Sequence, residues 1–293
     1  TWLTIPEYHP NVQIIDSVVM PEHFHGLLRL EHVDGVTLSS IIRGFKLGCN
    51  RAYRELFAVD SATLFSSGFN ETIPITPDEI ETKRQYIHDN PHRRFIKDHF
   101  RDYFTICRNL HSPNWTTERI TQGICRDPFV AQDEEAMQTT LENLRPRFLT
   151  DKSGRFTLDY IGSQQLLLSP NKFSLICHRA DADHFAEESE AVLRAAKEGA
   201  VIVSPFISRR ERELLNQLIE IGSPIIEIVD NGFGKTYKPW GNAFYACAEG
   251  KLLQITCWNY LYQRDATVTR PMCMVMNELA RLISGVEDDW WKK

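Results

Sequence analysis

The chain has 293 residues, of which 42% are hydrophobic and 25% charged, with a formal net charge of −6. That length holds two cores of ordinary size, so two domains are expected. The acidic balance excludes a nucleic-acid coat protein held by charge alone. No apolar run reaches the roughly eighteen residues of a membrane span, and no secretory signal precedes the first elements. The seven cysteines are odd in number and widely spaced, with no Cys-x-x-Cys pair. They read as free, mostly buried thiols in a reducing cytoplasm, with neither a zinc site nor a disulfide framework. A chain that opens on Thr1 is expected to be processed or a fragment.

In chain order, Val12 to Leu30 is rich in β-branched and apolar residues, which predicts two short strands joined at Met20-Pro21-Glu22. Thr37 is the expected N-cap of a helix through about Phe57, with Leu38, Ile41, Ile42, Phe45, Cys49, Tyr53 and Leu56 recurring at helical spacing. Thr76-Pro77-Asp78-Glu79 opens a second helix, which should stop at Asn90 because Pro91 disfavours helical geometry in the residue before it. Residues 92–150 read as mixed helix, including one from Gln132 to Leu144. Beyond about 155, strands at Phe173–Cys177, Ala200–Ser204, Pro224–Val229 and Leu252–Thr256 alternate with helices at Ala182–Glu198, Arg209–Ile221 and Thr269–Ile283. Alternation of this kind implies parallel β-α-β units and a doubly wound sheet. The run from Glu287 to Lys293 reads as a loose terminus.

Three features carry chemistry. His23 and His25 alternate along a strand, so both imidazoles can face one divalent ion while Phe24 packs behind them. Tyr86 and Asn90 are four apart on the second helix, hence on one face, and an Asn side-chain oxygen suits a hard cation. A phenol, with a reference pKa of ~10, is a weak nucleophile at neutral pH and needs a metal to polarise and position its phosphodiester. A basic stretch (Lys83, Arg84, Arg93, Arg94, Lys97, Arg101, Arg108) surrounds that helix, with three histidines interleaved. Tyr103 and Tyr53 are weaker nucleophile candidates: Tyr103 has Cys107 where a carboxamide is needed, and Tyr53 should face the core. Gly232-Phe-Gly-Lys235-Thr236 fails as a P-loop, because Val229 stands where the pattern needs Gly and Pro239 and Gly241 prevent the helix that should follow.

MPEHFH followed by an apolar strand resembles the Met-Pro-Asn-His-x-His signature of the HUH tyrosine nucleases. LFSSGFNETI and a helix ending YIHDNPHRR resemble the closing half of the REP-associated tyrosine transposases, and residues 8–97 follow that order of motifs. The resemblance implies a ferredoxin-like α+β domain over 1–120, and the pattern of elements beyond it predicts a helical connector over 121–154 and a Rossmann-like parallel-sheet α/β domain over 155–293. It implies His23, His25 and Asn90 as ligands of Mg or Mn, and Tyr86 as the nucleophile forming a 5′-phosphotyrosine on single-stranded or hairpin DNA. Strand transfer would follow by reversal onto another 3′-hydroxyl. Lys46, Arg93 and Arg94 would touch phosphates. A cytoplasmic, nucleoid-associated bacterial protein able to pair as a homodimer, without membrane contact, is the matching expectation. Glu22 replaces the family's Asn, which puts a carboxylate beside the expected metal, and Phe65-Ser66 replaces a Trp-Gln pair. The family domain also opens with a strand and helix that have no counterpart ahead of Thr1. The sheet is therefore expected to lack a central strand, leaving a fragment, a repaired fold or an inactive one.

In the C-terminal part, the turn Ser204–Ser208 and Asn231 fall where α/β sheets bind ligands, beyond the carboxyl ends of strands. A weak resemblance to the Rossmann-like domains of DNA-processing proteins makes nucleic acid the first expected ligand and a nucleotide the second. Two alternatives stand beside the nuclease: a non-catalytic DNA-binding protein of transposase ancestry, and a nucleotide- or nucleic-acid-binding Rossmann protein.

Overall fold

The apolar run Val12–Leu30 folds, in the computed structural model of the chain, as an antiparallel hairpin of β1 (Val12–Val19) and β2 (Phe24–Leu30). The structure describes residues 1–126, 130, 133–150, 153–176, 183–262 and 268–286. Cys177, the expected helix starts at Gln132 and Ala182, and the terminal run from 287 lie outside them. Two compact units are present, residues 1–96 and 97–293.

In the first unit, a short helix α1 (Ile5–Tyr8) and Trp2 close one face of the hairpin together with α2 (Leu38–Phe57). Trp2, Ile5, Val12, Ile41 and Phe45 are the buried core, with Ile14, Phe24 and Leu28 packed against it. Thr37 caps α2 as expected: its hydroxyl accepts from Ser40 N at 3.2 Å, and the Ser40 hydroxyl accepts from Thr37 N at 3.1 Å. This capping box satisfies two otherwise orphaned amides. The C-terminal half of α2 leaves the core, so Tyr53 is exposed rather than core-facing, and Leu56 and Phe57 are exposed with it.

The pairing steps by one residue between Ile14 and Asp16. Val12 and Ile14 lie opposite Leu30 and Leu28 on the core face, whereas Asp16 and Val18 lie opposite Leu27 and His25. A bulge of this kind inverts which residues face which side, and here it turns Asp16 away from the Trp2 core.

The second long helix, α3 (Pro77–His99), runs straight through Pro91 instead of ending at Asn90. Proline forfeits one ladder bond and crowds the preceding turn. Within that turn Asn90 adds a bond of its own, its Nδ2 donating to Tyr86 O at 2.7 Å, and beyond it Arg94 pairs with Glu22. The first unit is thus α+β with a two-stranded sheet. A ferredoxin-like sheet requires two further strands, and residues 1–96 contain only β1 and β2.

The second unit is built on one sheet in the order β3-β4-β8-β7-β6-β5. Its strands are β3 (Cys107–Leu110), β4 (Leu158–Gly162), β5 (Lys172–Ser174), β6 (Val201–Ser204), β7 (Ile225–Ile228) and β8 (Leu252–Thr256). β5 to β8 are parallel and β4 and β3 extend the sheet antiparallel. The sheet is therefore mixed, though mostly parallel. The parallel strands stand side by side in chain order, so α6 (Phe185–Lys197), α7 (Arg209–Glu220) and α8 (Asn242–Ala248) fall on one face. That single direction of winding replaces the doubly wound order expected. The other face presents Val201, Val203, Ile226, Ile228, Leu253 and Ile255 to α9 (Arg270–Ser284) and α4 (Thr117–Ile124) in the main core.

The two compact units divide between residues 96 and 97. β3 hydrogen-bonds to β4, and Ile120, Ile124 and Leu144 of α4 and α5 (Glu134–Leu144) belong to the second core. Asp159 ties the join: buried on β4, it accepts from Arg108 beside it and from Arg147 at 2.9 Å. Burial alone would raise its carboxyl, but hydrogen bonds from Arg147 and Arg108 outweigh that and hold it below its ordinary value. Among the described residues the cysteines are unbonded, and only Cys247 and Cys257 are buried. Burial pushes both thiols up to about 12, which keeps them protonated and inert.

Candidate functional site

His23 sits in the turn just before β2 and His25 one residue inside it. Strand alternation sends Phe24 into the Trp2 core and leaves the two imidazoles on the opposite side. Their ring centroids are 4.7 Å apart at 82°, edge to face. Met20 N donates to His23 O at 2.9 Å, which closes the turn and fixes the first imidazole's backbone. Trp2 lies directly over Gly26, where a side chain would collide with the indole.

Helix α3 brings Tyr86 to the same place. The His25 and Tyr86 rings are 5.3 Å apart at 80°, and the Tyr86 side is 41% exposed, open enough for a substrate to reach the phenol. Asn90, buried one turn further on, spends its Nδ2 on the Tyr86 carbonyl. A carbonyl acceptor requires the amide nitrogen there, so the orientation of the carboxamide is fixed and Oδ1 is the oxygen left for a ligand. Two imidazoles side by side, and a carboxamide oxygen on the Tyr86 helix, are the donor types that suit a divalent cation.

Asp16 was not legible as part of this region. Turned by the bulge, its carboxylate meets His88 Nε2 at 2.8 Å and Arg84 Nε at 3.6 Å, four apart on α3. These pairs brace the helix that carries Tyr86 against β1. The available signal was the polar pair Asp16-Ser17 interrupting an apolar strand.

Glu22 is paired with Arg94, whose hydrogen bond holds its carboxyl below the ordinary range. Arg94 is engaged there, and Lys46 donates to Ser66 O at 2.8 Å and Gly68 O at 2.6 Å, pinning the loop between α2 and α3. Arg93 is half-buried on α3. Phe65 packs on Phe45, with centroids 5.6 Å apart, serving the core.

In the second unit, Ser204 is fully buried and its hydroxyl accepts from Phe206 N at 3.1 Å, at a left-handed turn where Phe206 has φ +44°. Ser208 caps α7 in a reciprocal box with Glu211. Asn231 donates to Leu261 O at 3.0 Å and accepts from Gly232 N and Leu261 N. Ser204 and Ser208 serve their own turns, and Asn231 ties its turn to the loop after β8. Residues 235–241 contain no helix ahead of α8, in keeping with rejection of the P-loop.

No family model matches the chain, and neither a curated protein nor a solved structure does. Among the described residues no helix is long and apolar enough to cross a membrane.

Proposed function

We propose that the first unit is a metal-assisted, transposase-like tyrosine nuclease acting on single-stranded or hairpin DNA. The observation that carries the reading is the convergence of His23, His25 and Tyr86 from two elements far apart in sequence, with Asn90 anchored on the same turn as the phenol. His23, His25 and the Asn90 oxygen would hold Mg or Mn. Such an ion, when bound, neutralises phosphate charge and lowers the barrier to attack.

Every other part of the step belongs to side chains of this chain. The Tyr86 phenol gives its proton to solvent, its oxygen bonds to phosphorus, and the bond from phosphorus to the 3′ oxygen breaks. That oxygen takes up a proton and leaves as a 3′-hydroxyl, while the DNA stays joined to Tyr86 through its 5′ phosphate. The phosphodiester is conserved, so attack by a second 3′-hydroxyl reverses the chemistry and transfers the strand. Asp16, through His88 and Arg84, keeps the nucleophile's helix in place.

The test is incubation of the full chain with a labelled single-stranded hairpin in manganese or magnesium, followed by denaturing electrophoresis. A labelled protein band is expected, absent in Tyr86→Phe and in His25→Ala. No band from the native protein, or equal bands from native and Tyr86→Phe, would sink the reading. Hairpin binding without any band would assign the chain to non-catalytic DNA-binding proteins.

A further inference from the structure

Helix α3 carries more than the phenol toward the hairpin. Tyr86, Asn90 and Arg94 are spaced four apart, so they lie along one face of it. At one end of that face the Tyr86 ring stands 5.3 Å from His25. At the other, Arg94 forms an ion pair with Glu22, the residue just before His23. Arg94 reaches it because the helix continues through Pro91.

The two spans agree. Eight residues of helix cover ~12 Å, and three residues of extended chain from Glu22 to His25 reach at most ~10 Å. Glu22 lies inside the turn that Met20 N closes by donating to His23 O at 2.9 Å, so a pull on Glu22 is a pull on the backbone of the first imidazole. On the other strand, Asp16 meets His88 at 2.8 Å and Arg84 at 3.6 Å. From Arg84 to Arg94 is about 15 Å of helix. Charge pairs at both ends of that length would break together if α3 slid by one turn, so they fix its register on the hairpin.

The Glu22 and Arg94 side chains are 52% and 37% exposed. A pair so open to water adds little to global stability, so its effect is on local position. The same pairing argues against a DNA contact at Arg94. A phosphate would have to displace the Glu22 carboxylate and then face its negative charge at close range.

We infer that Glu22 and Arg94 are a positioning pair, which holds His23 and His25 against Tyr86, and that Arg94 is not the phosphate contact expected from the sequence. The inference rests on the metal-site reading proposed above and adds two residues that shape that site without touching metal or DNA.

The test is calorimetric titration of the full chain with manganese(II) and no DNA, on the native protein, Arg94→Glu, Glu22→Arg and the double exchange. For Arg94→Glu, field and position predict opposite signs. Added negative charge alone would tighten a cation, whereas a displaced turn weakens it. Arg94→Glu is expected to bind manganese at least threefold more weakly than the native protein. The double exchange, which restores the pair and so controls for folding, should return to within twofold of native in affinity for manganese and for a labelled hairpin. Manganese binding by Arg94→Glu as tight as native or tighter overturns the inference. So does a double exchange that binds manganese or the hairpin no better than Arg94→Glu. A native chain that binds no manganese sinks the metal-site reading, and this inference with it.

Discussion

Replacing Gly26 by alanine tests how the hairpin is held beneath the site. A Cβ built at Gly26 lies 2.3 and 2.4 Å from Trp2 Cζ2 and Cη2, and 3.0 Å from Phe24 Cε1. Trp2 cannot simply retreat, because it is 7% exposed and packs edge-on against Phe24 at 4.8 Å and Phe45 at 5.1 Å. Overpacking of this kind costs about 1–3 kcal/mol. Alanine in a strand recovers about 0.5–1 kcal/mol of backbone entropy relative to glycine. The net loss is then ~0–2.5 kcal/mol, and its mid-range value of about 1.2 kcal/mol should speed opening of the hairpin roughly 8-fold. Gly44 supplies the contrast: it is exposed on α2, and a Cβ there meets nothing within 4 Å. Gly44→Ala should stabilise α2 by ~0.5–1 kcal/mol. Hydrogen exchange read by mass spectrometry on peptides covering 12–30 and 38–57 separates the two. Exchange in the Gly26→Ala hairpin as slow as in the native protein would refute the packing argument.

Glu278→Ala should destabilise the second unit by about 3–5 kcal/mol, because it removes the buried carboxylate that pairs with Arg281, Arg119 and Arg126; an unchanged urea midpoint would contradict this. The second unit should also be most stable at mildly acid pH. Asp159, held below its ordinary 3.8, supports the fold above that value and loses its contribution as pH falls through the folded value. Glu211 and Glu227, raised above 4.5 chiefly by burial, bind more protons folded than unfolded, so stability drains as pH rises above 4.5. Glu227→Gln should flatten that alkaline decline in a thermal-melt series, and an unaltered slope would count against it. Asp16→Asn should slow adduct formation several-fold without abolishing it, since Asp16 braces α3 rather than touching DNA; total loss would show a more direct role.

α2 was legible because one of its faces is buried at helical spacing, and β8 because its five residues are all buried and three of them are apolar. α2, β8 and the Thr269 cap of α9 stand where spacing and cap chemistry put them. The strands missed were those whose sequences violate the apolar pattern. β3, Cys-Arg-Asn-Leu, is polar because Arg108 reaches Asp159, and β4 carries that buried aspartate in mid-strand. Long-range ion pairing of this sort leaves no local trace. α3 outran Pro91 because one lost bond is small beside the contacts that hold the helix on either side. Within the candidate site, spacing paired His23 with His25 and Tyr86 with Asn90, and only the family resemblance joined the two pairs, while the turn of Asp16 toward α3 depends on a bulge. The engagement of Glu22 with Arg94 likewise needs two elements in three dimensions.

The measurement that bears most directly on the central claim is peptide mapping of DNA-linked protein after manganese-dependent incubation with a hairpin substrate. The account predicts a 5′-phosphonucleotide on the peptide containing Tyr86, and on no other tyrosine. Attachment at Tyr53 or Tyr103, or recovery of cleaved DNA with no protein adduct, would contradict it.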